Sequence, residues 1–137
     1  MTKKKKRIAW ILAFIAVTVL GVLCFDSVVF SFRLNKAIYY AENGQYELSI
    51  YEYDKLIESD TQVYELHFNK AVLFAKNGDS QSAIDAFKTA SLINDQDPDL
   101  FYNLSLLYEP IDEDLSKIYL EKATYLEFER ELEKNAQ

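Results

Sequence analysis

Five residues recur 34 positions apart in this chain: Asn35-Lys36-Ala37 returns as Asn69-Lys70-Ala71, and Asn43-Gly44 returns as Asn77-Gly78. A fixed period of that size marks a solenoid, in which each unit is one supersecondary element that buries its apolar face only by stacking on its neighbours. Few other folds tolerate such an echo, so the soluble part reads as stacked helical hairpins, and any function rests on a repeated surface.

Laid in register, the first unit gives Arg33, Ala37, Tyr40, Gly44, Ser49, Tyr53 and Leu56, and the second His67, Ala71, Phe74, Gly78, Ala83, Phe87 and Ala90. A third follows as Phe101, Ser105, Tyr108, Ser116, Leu120 and Ala123 once one residue is deleted in its turn near Pro110. The order is large, small, aromatic, turn, small, aromatic, small. Antiparallel helices approach closely only where side chains are small, so Ala37 with Ser49 and Ala71 with Ala83 are the expected contacts. Hairpin helices of about 12 to 15 residues are marginal in isolation, which makes stacking obligatory.

The turns agree with that register. Asn-Gly after a helical run supplies a left-handed C-terminal residue. Asp79-Ser80 and Asp60-Thr61 are candidate caps for the following helices, and Pro98 suits a first helical turn. The segment from Tyr119 to Lys134 reads as a long last helix with polar residues outward, a solenoid cap.

Over about residues 30 to 125 this pattern resembles the tetratricopeptide repeat, whose signature is W-x2-L-G-x2-Y, then A-x3-F and a closing Pro. The chain departs from it in having no Trp in any unit, Lys36 and Lys70 in the Leu slot, and Thr61 and Asp95 in place of the Pro. The resemblance implies an all-α fold: a right-handed α-solenoid of about three hairpins, at 30–62, 63–97 and 98–137, the last including the cap.

Ahead of the solenoid lies an apolar segment. Residues 3–7, Lys-Lys-Lys-Lys-Arg, precede a run of 18 residues without charge, Ile8 to Phe25. At 1.5 Å per residue that run spans roughly 27 Å of a hydrocarbon core about 30 Å thick. The expected organisation is a basic cytoplasmic tail at 1–7, a transmembrane anchor at 8–25 in contact with the bilayer, and a short linker at 26–30. A cleaved signal peptide is the competing reading, but no A-x-A site ends the run and it exceeds the usual h-region. Cys24 follows Leu23 rather than a small residue, so it reads as an apolar residue of the span and not as a lipidation site.

The basic cluster keeps the N-terminus cytoplasmic and places the repeats on the far face, extracytoplasmic in a bacterium. In a eukaryote the same pattern fits a lumenal domain, or an outer mitochondrial receptor with cytosolic repeats. Asn103-Leu104-Ser105 is a glycosylation sequon in the lumenal case.

Beyond the span lie 10 basic and all 22 acidic residues, a net charge of 10 minus 22, or −12. Such a domain repels nucleic acid and anionic lipid, so no nucleic-acid partner is expected. Cys24 is the sole cysteine, which excludes an internal disulfide and any cysteine metal site. His67, the single histidine, holds a packing slot. Asp112-Glu113-Asp114 reads as a solvated turn or helix N-terminus. No phosphate loop, nucleophile elbow or calcium loop is present, so neither enzymatic activity nor a cofactor is expected.

Asn35, Asn69 and Asn103 hold one position in the three units. The resemblance implies that this position faces a concave groove, where Asn ladders grip the backbone of an extended peptide; an amide offers both a donor and an acceptor. The same resemblance places Leu34, Phe68 and Tyr102, with Ile38, Val72 and Leu106, along the groove as an apolar strip. Equally open is a structural role in which the amides bond between helices. The basic clamp of carboxylate-binding co-chaperones is missing, because Leu34, Ile38, Asp99 and Asn103 occupy those places.

Three amide contacts at about 0.5 to 1.5 kcal/mol each, set against the cost of association, imply roughly micromolar affinity. Confinement to one bilayer raises the effective concentration of a partner toward about millimolar. The sequence thus reads as a membrane-anchored adaptor or scaffold that binds segments of membrane or envelope proteins and assists assembly of a membrane complex. The alternative is a receptor that captures targeting or signal segments for transport.

Overall fold

The computed structural model describes residues 3–136; the side chains of residues 3–7, Ala9, Leu23 and Cys24 lie outside the described set, so the expectations placed on the basic cluster and on Cys24 do too. Six helices and no strand are present among the described residues: α1 Lys3–Glu42, α2 Tyr46–Ser59, α3 Tyr64–Lys76, α4 Ser80–Ile93, α5 Pro98–Tyr108 and α6 Glu113–Asn135. The most extensive packing is α1 with α2, α3 with α4 and α5 with α6; α2 with α3 and α4 with α5 join successive pairs. The result is three consecutive hairpins in a row.

Two turns repeat almost atom for atom. Gly44 and Gly78 adopt φ of 71° and 82°, and each turn closes with the same backbone bonds, from Gln45 N to Tyr40 O at 2.9 Å and from Asp79 N to Phe74 O at 3.0 Å. Asp79 caps α4 by accepting from Ser82 N, and Asp112 caps α6 by accepting from Leu115 N. Asp60 does not cap α3: it accepts from Gln62 N within the turn, and Val63, which has no capping side chain, holds the N-cap position.

The hairpins close at their small residues. Ala37, Ser49, Ala71 and Ala83 are all fully buried, and the Ser49 hydroxyl donates to Ala37 O at 2.7 Å across 12 residues. In the third hairpin Ser116 donates to Ser105 O at 2.9 Å across 11 residues. The same bond formed over one residue fewer fits the single deletion placed near Pro110.

Two departures from the tetratricopeptide pattern have a common cause. Glu52 of α2 is 2% exposed and accepts from Arg33 at 3.0 Å and Lys36 at 2.6 Å. Those cations hold the Trp and Leu slots of the first unit, so an ionic contact replaces an apolar one there. Burial pushes the Glu52 carboxyl up, but hydrogen bonds from Lys36 and Arg33 outweigh it and hold the group below its ordinary 4.5.

α1 runs without a break from the apolar segment through residues 26–30 into the first hairpin. Phe30, Leu34, Ala37 and Ala41 of this one helix share a core cluster with Tyr53 and Leu56 of α2. α6 is one helix of 23 residues with polar residues outward, and it also leaves Leu120, Tyr125, Phe128 and Leu132 between 45% and 60% exposed.

Two predictions follow from the packing. Phe87→Ala is expected to cost about 3–5 kcal/mol and Leu120→Ala, at the same unit position, under about 1, measured by denaturation of the detergent-solubilised chain. Glu52 contributes stability that is complete above the unfolded carboxyl value and is lost as pH falls through its lower folded value. Melting temperature should therefore decline on acidification below about 4.5 more steeply in the native chain than in Glu52→Gln. Removing Arg33 and Lys36 together strands a buried carboxylate and should cost more than Glu52→Gln.

Candidate functional site

α1, α3 and α5 carry the three equivalent amides, and the structure gives each a different setting. Asn35 is exposed on α1. Asn69 is exposed and hydrogen-bonds the Tyr53 hydroxyl of α2; burial pushes that hydroxyl's pKa up and the Asn69 side chain pulls the other way. Asn103 is half-buried and donates to Asp99 O, one turn back in its own helix, at 2.7 Å. Two of the three amides thus have partners within the protein, which Asn103 must release if it is to bind a peptide.

The apolar strip divides in the same manner. Leu34 packs against the first core cluster, and Phe68 and Val72 pack against the second. Ile38, Tyr102 and Leu106 are 41%, 49% and 48% exposed. Tyr102 stands apart from the others because it lines a cavity of about 600 Å³ between α5 and α6, together with Leu120, Ala123, Thr124 and Phe128. Asp99, Glu127, Arg130 and Glu131 form its polar rim.

That cavity was not foreseen, although its signal is in the register. Tyr53, Phe87 and Leu120 hold one position of the unit, yet they are 4%, 0% and 45% exposed. Among the described residues, the first two are covered by the next hairpin and Leu120 is not.

The hairpins are joined by specific polar contacts. Lys70 of α3 reaches Asp54 of α2 at 2.5 Å. Tyr64 at the head of α3 donates to Asp97 at the head of α5 at 2.5 Å, while the other Asp97 oxygen accepts from Asp99 N. Burial first, and then Asp97, hold the Tyr64 hydroxyl far above its ordinary range, so it stays a donor. His67 contacts Thr61 O at 3.0 Å, a structural use of the lone histidine. Among the described residues no cluster of His, Cys, Asp or Glu is arranged to hold a metal ion. The exposed amides of Asn35 and Asn69 and the exposed Ile38, Tyr102 and Leu106 offer hydrogen bonds and apolar contact.

One helix, from Trp10 onward, is long and apolar enough to cross a membrane, with a window of mean hydropathy 2.4, none of which is buried.

No protein-family model and no curated protein sequence matches the chain. Among solved structures it is similar to MamA from MSR-1, with a TM-score of 0.68 and 19% identity over 74% of this chain and 59% of MamA. It is also similar to a chain of the CopN-Scc3 complex, with a TM-score of 0.67 and 16% identity over 71% of this chain and 58% of that one. A third similar structure is the type III secretion translocator chaperone SycD of Yersinia enterocolitica, with a TM-score of 0.67 and 15% identity over 73% of this chain and 70% of SycD. The chain spans about 59% of the MamA chain it matches. At these identities the likeness establishes the fold, a tetratricopeptide-like helical repeat.

Tyr64→Phe removes the bond to Asp97 without a change of shape. It should lower stability by about 1.5–3 kcal/mol, the range for a hydrogen bond to a charged group, in equilibrium denaturation; no loss would mean that the α3–α5 link is dispensable.

Proposed function

We propose that this chain is a single-pass membrane protein whose tetratricopeptide-like domain binds segments of other polypeptides at the membrane surface and assists assembly of a membrane complex. The observation that carries the reading is α1 itself. Its apolar part is wholly exposed, unlike the core helix of a soluble protein, and it continues without interruption into the first hairpin. Removing the segment as a signal peptide would cut through a helix that is already structural at Phe30 and Leu34.

A continuous helix also fixes the reach of the domain. The repeats stand directly on the span, so partners are drawn from the membrane surface. SycD is a translocator chaperone and CopN-Scc3 is a complex; their shared fold supports a protein-binding role here. The basic cluster at residues 3–7 favours a cytoplasmic N-terminus and extracytoplasmic repeats. The groove would be lined by Asn35, Asn69 and Asn103 with Leu34, Phe68, Tyr102, Ile38, Val72 and Leu106. The net charge of −12 beyond the span, 10 basic against 22 acidic residues, favours partners with basic faces. It also keeps the second reading open, a receptor for basic amphipathic targeting segments.

Two measurements test the proposal. Full-length chain should stay in the membrane pellet after alkaline carbonate extraction, whereas release of a shortened product lacking the first 25 or so residues would make the segment a signal peptide. Photocrosslinking from Phe68 or Tyr102 in intact cells should capture membrane-attached proteins. Replacing Asn35, Asn69 and Asn103 with Ala should abolish capture while leaving helicity intact. Equal loss of helicity would make the amides structural, and saturable binding of a basic amphipathic peptide would favour the receptor.

A further inference from the structure

Each hairpin of the stack presents a socket, and the next hairpin fills it with one residue. Leu66 at the head of α3 is 2% exposed and belongs to the cluster of Tyr53, Leu56, Phe30 and Leu34. Leu100, 34 residues later at the head of α5, is fully buried in the cluster that holds Phe87, Ala90, Phe68 and Val72.

The equivalent third socket consists of Tyr102, Leu120, Ala123 and Thr124, and it is the open 600 Å³ cavity. The equivalent first plug, 34 residues before Leu66, is Phe32, which is 68% exposed. One end of the stack therefore has a filled position without a socket, and the other has a socket without its plug.

We infer that a second copy of this chain completes the stack: Phe32 of one copy enters the α5–α6 socket of another. The helix faces match in spacing. Phe32, Val28 and Phe25 form an i, i−4, i−7 stripe that is 66% to 68% exposed, on the face of α1 opposite the residues packed on α2. Leu120, Thr124 and Phe128 form an i, i+4, i+8 stripe on α6 and line the cavity wall. Run antiparallel, as α2 and α3 run within the chain, the two stripes pair Phe32 with Leu120, Val28 with Thr124 and Phe25 with Phe128.

α6 outlasts the 14-residue α2 and α4, and Phe128, the partner of Phe25, lies in that added length. Hairpin alternation points the end of α6 to the same side as the span; past Phe128 the two helices diverge, because the charged residues from Glu129 to Lys134 do not follow α1 into the apolar run. The contact is heterologous: plug and socket are different surfaces, and each copy still offers one of each. Repeated, it generates a ring or a row of copies in the plane of the membrane.

The test uses the full chain in detergent or in membranes, with Cys24→Ser to remove the native thiol. Two differently tagged forms are co-expressed, one Val28→Cys and the other Thr124→Cys. Both positions are exposed, and the plug Phe32 stays intact. A short thiol crosslinker is expected to join the two tags, and each form alone is expected to give little product. Phe32→Lys in the first form should remove the mixed product, and Leu120→Glu added to the second should restore it.

Crosslinking of Val28→Cys to itself at the expense of the mixed product would indicate a symmetric contact through the span and overturn the inference. So would absence of any product together with a monomer mass in detergent at all concentrations. Membrane extraction reads anchoring separately, so failure here leaves the adaptor reading standing.

Discussion

Close approach of two short helices at small residues is the constraint on which this molecule depends. Ala37 with Ser49, Ala71 with Ala83 and Ser105 with Ser116 let the backbones meet, and at the first and third of these a serine hydroxyl donates to a carbonyl of the facing helix. Around each contact an aromatic or leucine side chain closes the space, and in the first two hairpins the next hairpin seals it. Helices of 11 to 14 residues gain most of their stability from such packing rather than from propensity. A change at a contact therefore reaches the whole row, while a change at either open end does not.

The register, the two glycine turns, the cap at Asp79 and the deletion in the third turn were legible because each is local chemistry repeated at a fixed offset. What was not legible depends on partners far away in the sequence. Arg33 and Lys36 read as departures from a pattern because Glu52, their common partner, lies 16 to 19 residues on. Residues 26–30 read as a linker because they lie between the apolar run and the first repeat; in the structure α1 continues through them, and Phe30 already packs against the core. The polar content of α6 suggested a cap, yet its apolar residues share a stripe that nothing in the chain covers. The amide ladder was legible as a position but not as a state, since Asn103 already serves its own helix.

Function follows from how the two parts are joined. A flexible tether would let the repeats sample a volume above the membrane. On the proposed membrane-anchored reading, a continuous helix would instead fix their height and orientation and hold the amide face and the terminal socket near the membrane plane. The ionic contact of Glu52 with Arg33 and Lys36 ties α1 to α2 a short way past the apolar run. The exposed surfaces at both ends are what the proposed lateral association would use, and the amide face is what the proposed capture of other polypeptides would use.

Hydrogen exchange of the full chain in lipid nanodiscs tests this account most directly. Amides from Asp26 to Arg33 should exchange as slowly as those from Leu34 to Tyr40, giving unbroken protection from the lipid-embedded segment into the first hairpin. Fast exchange confined to residues 26–30, with protection on both sides, would show a hinge there and contradict the rigid stalk on which the proposed function rests.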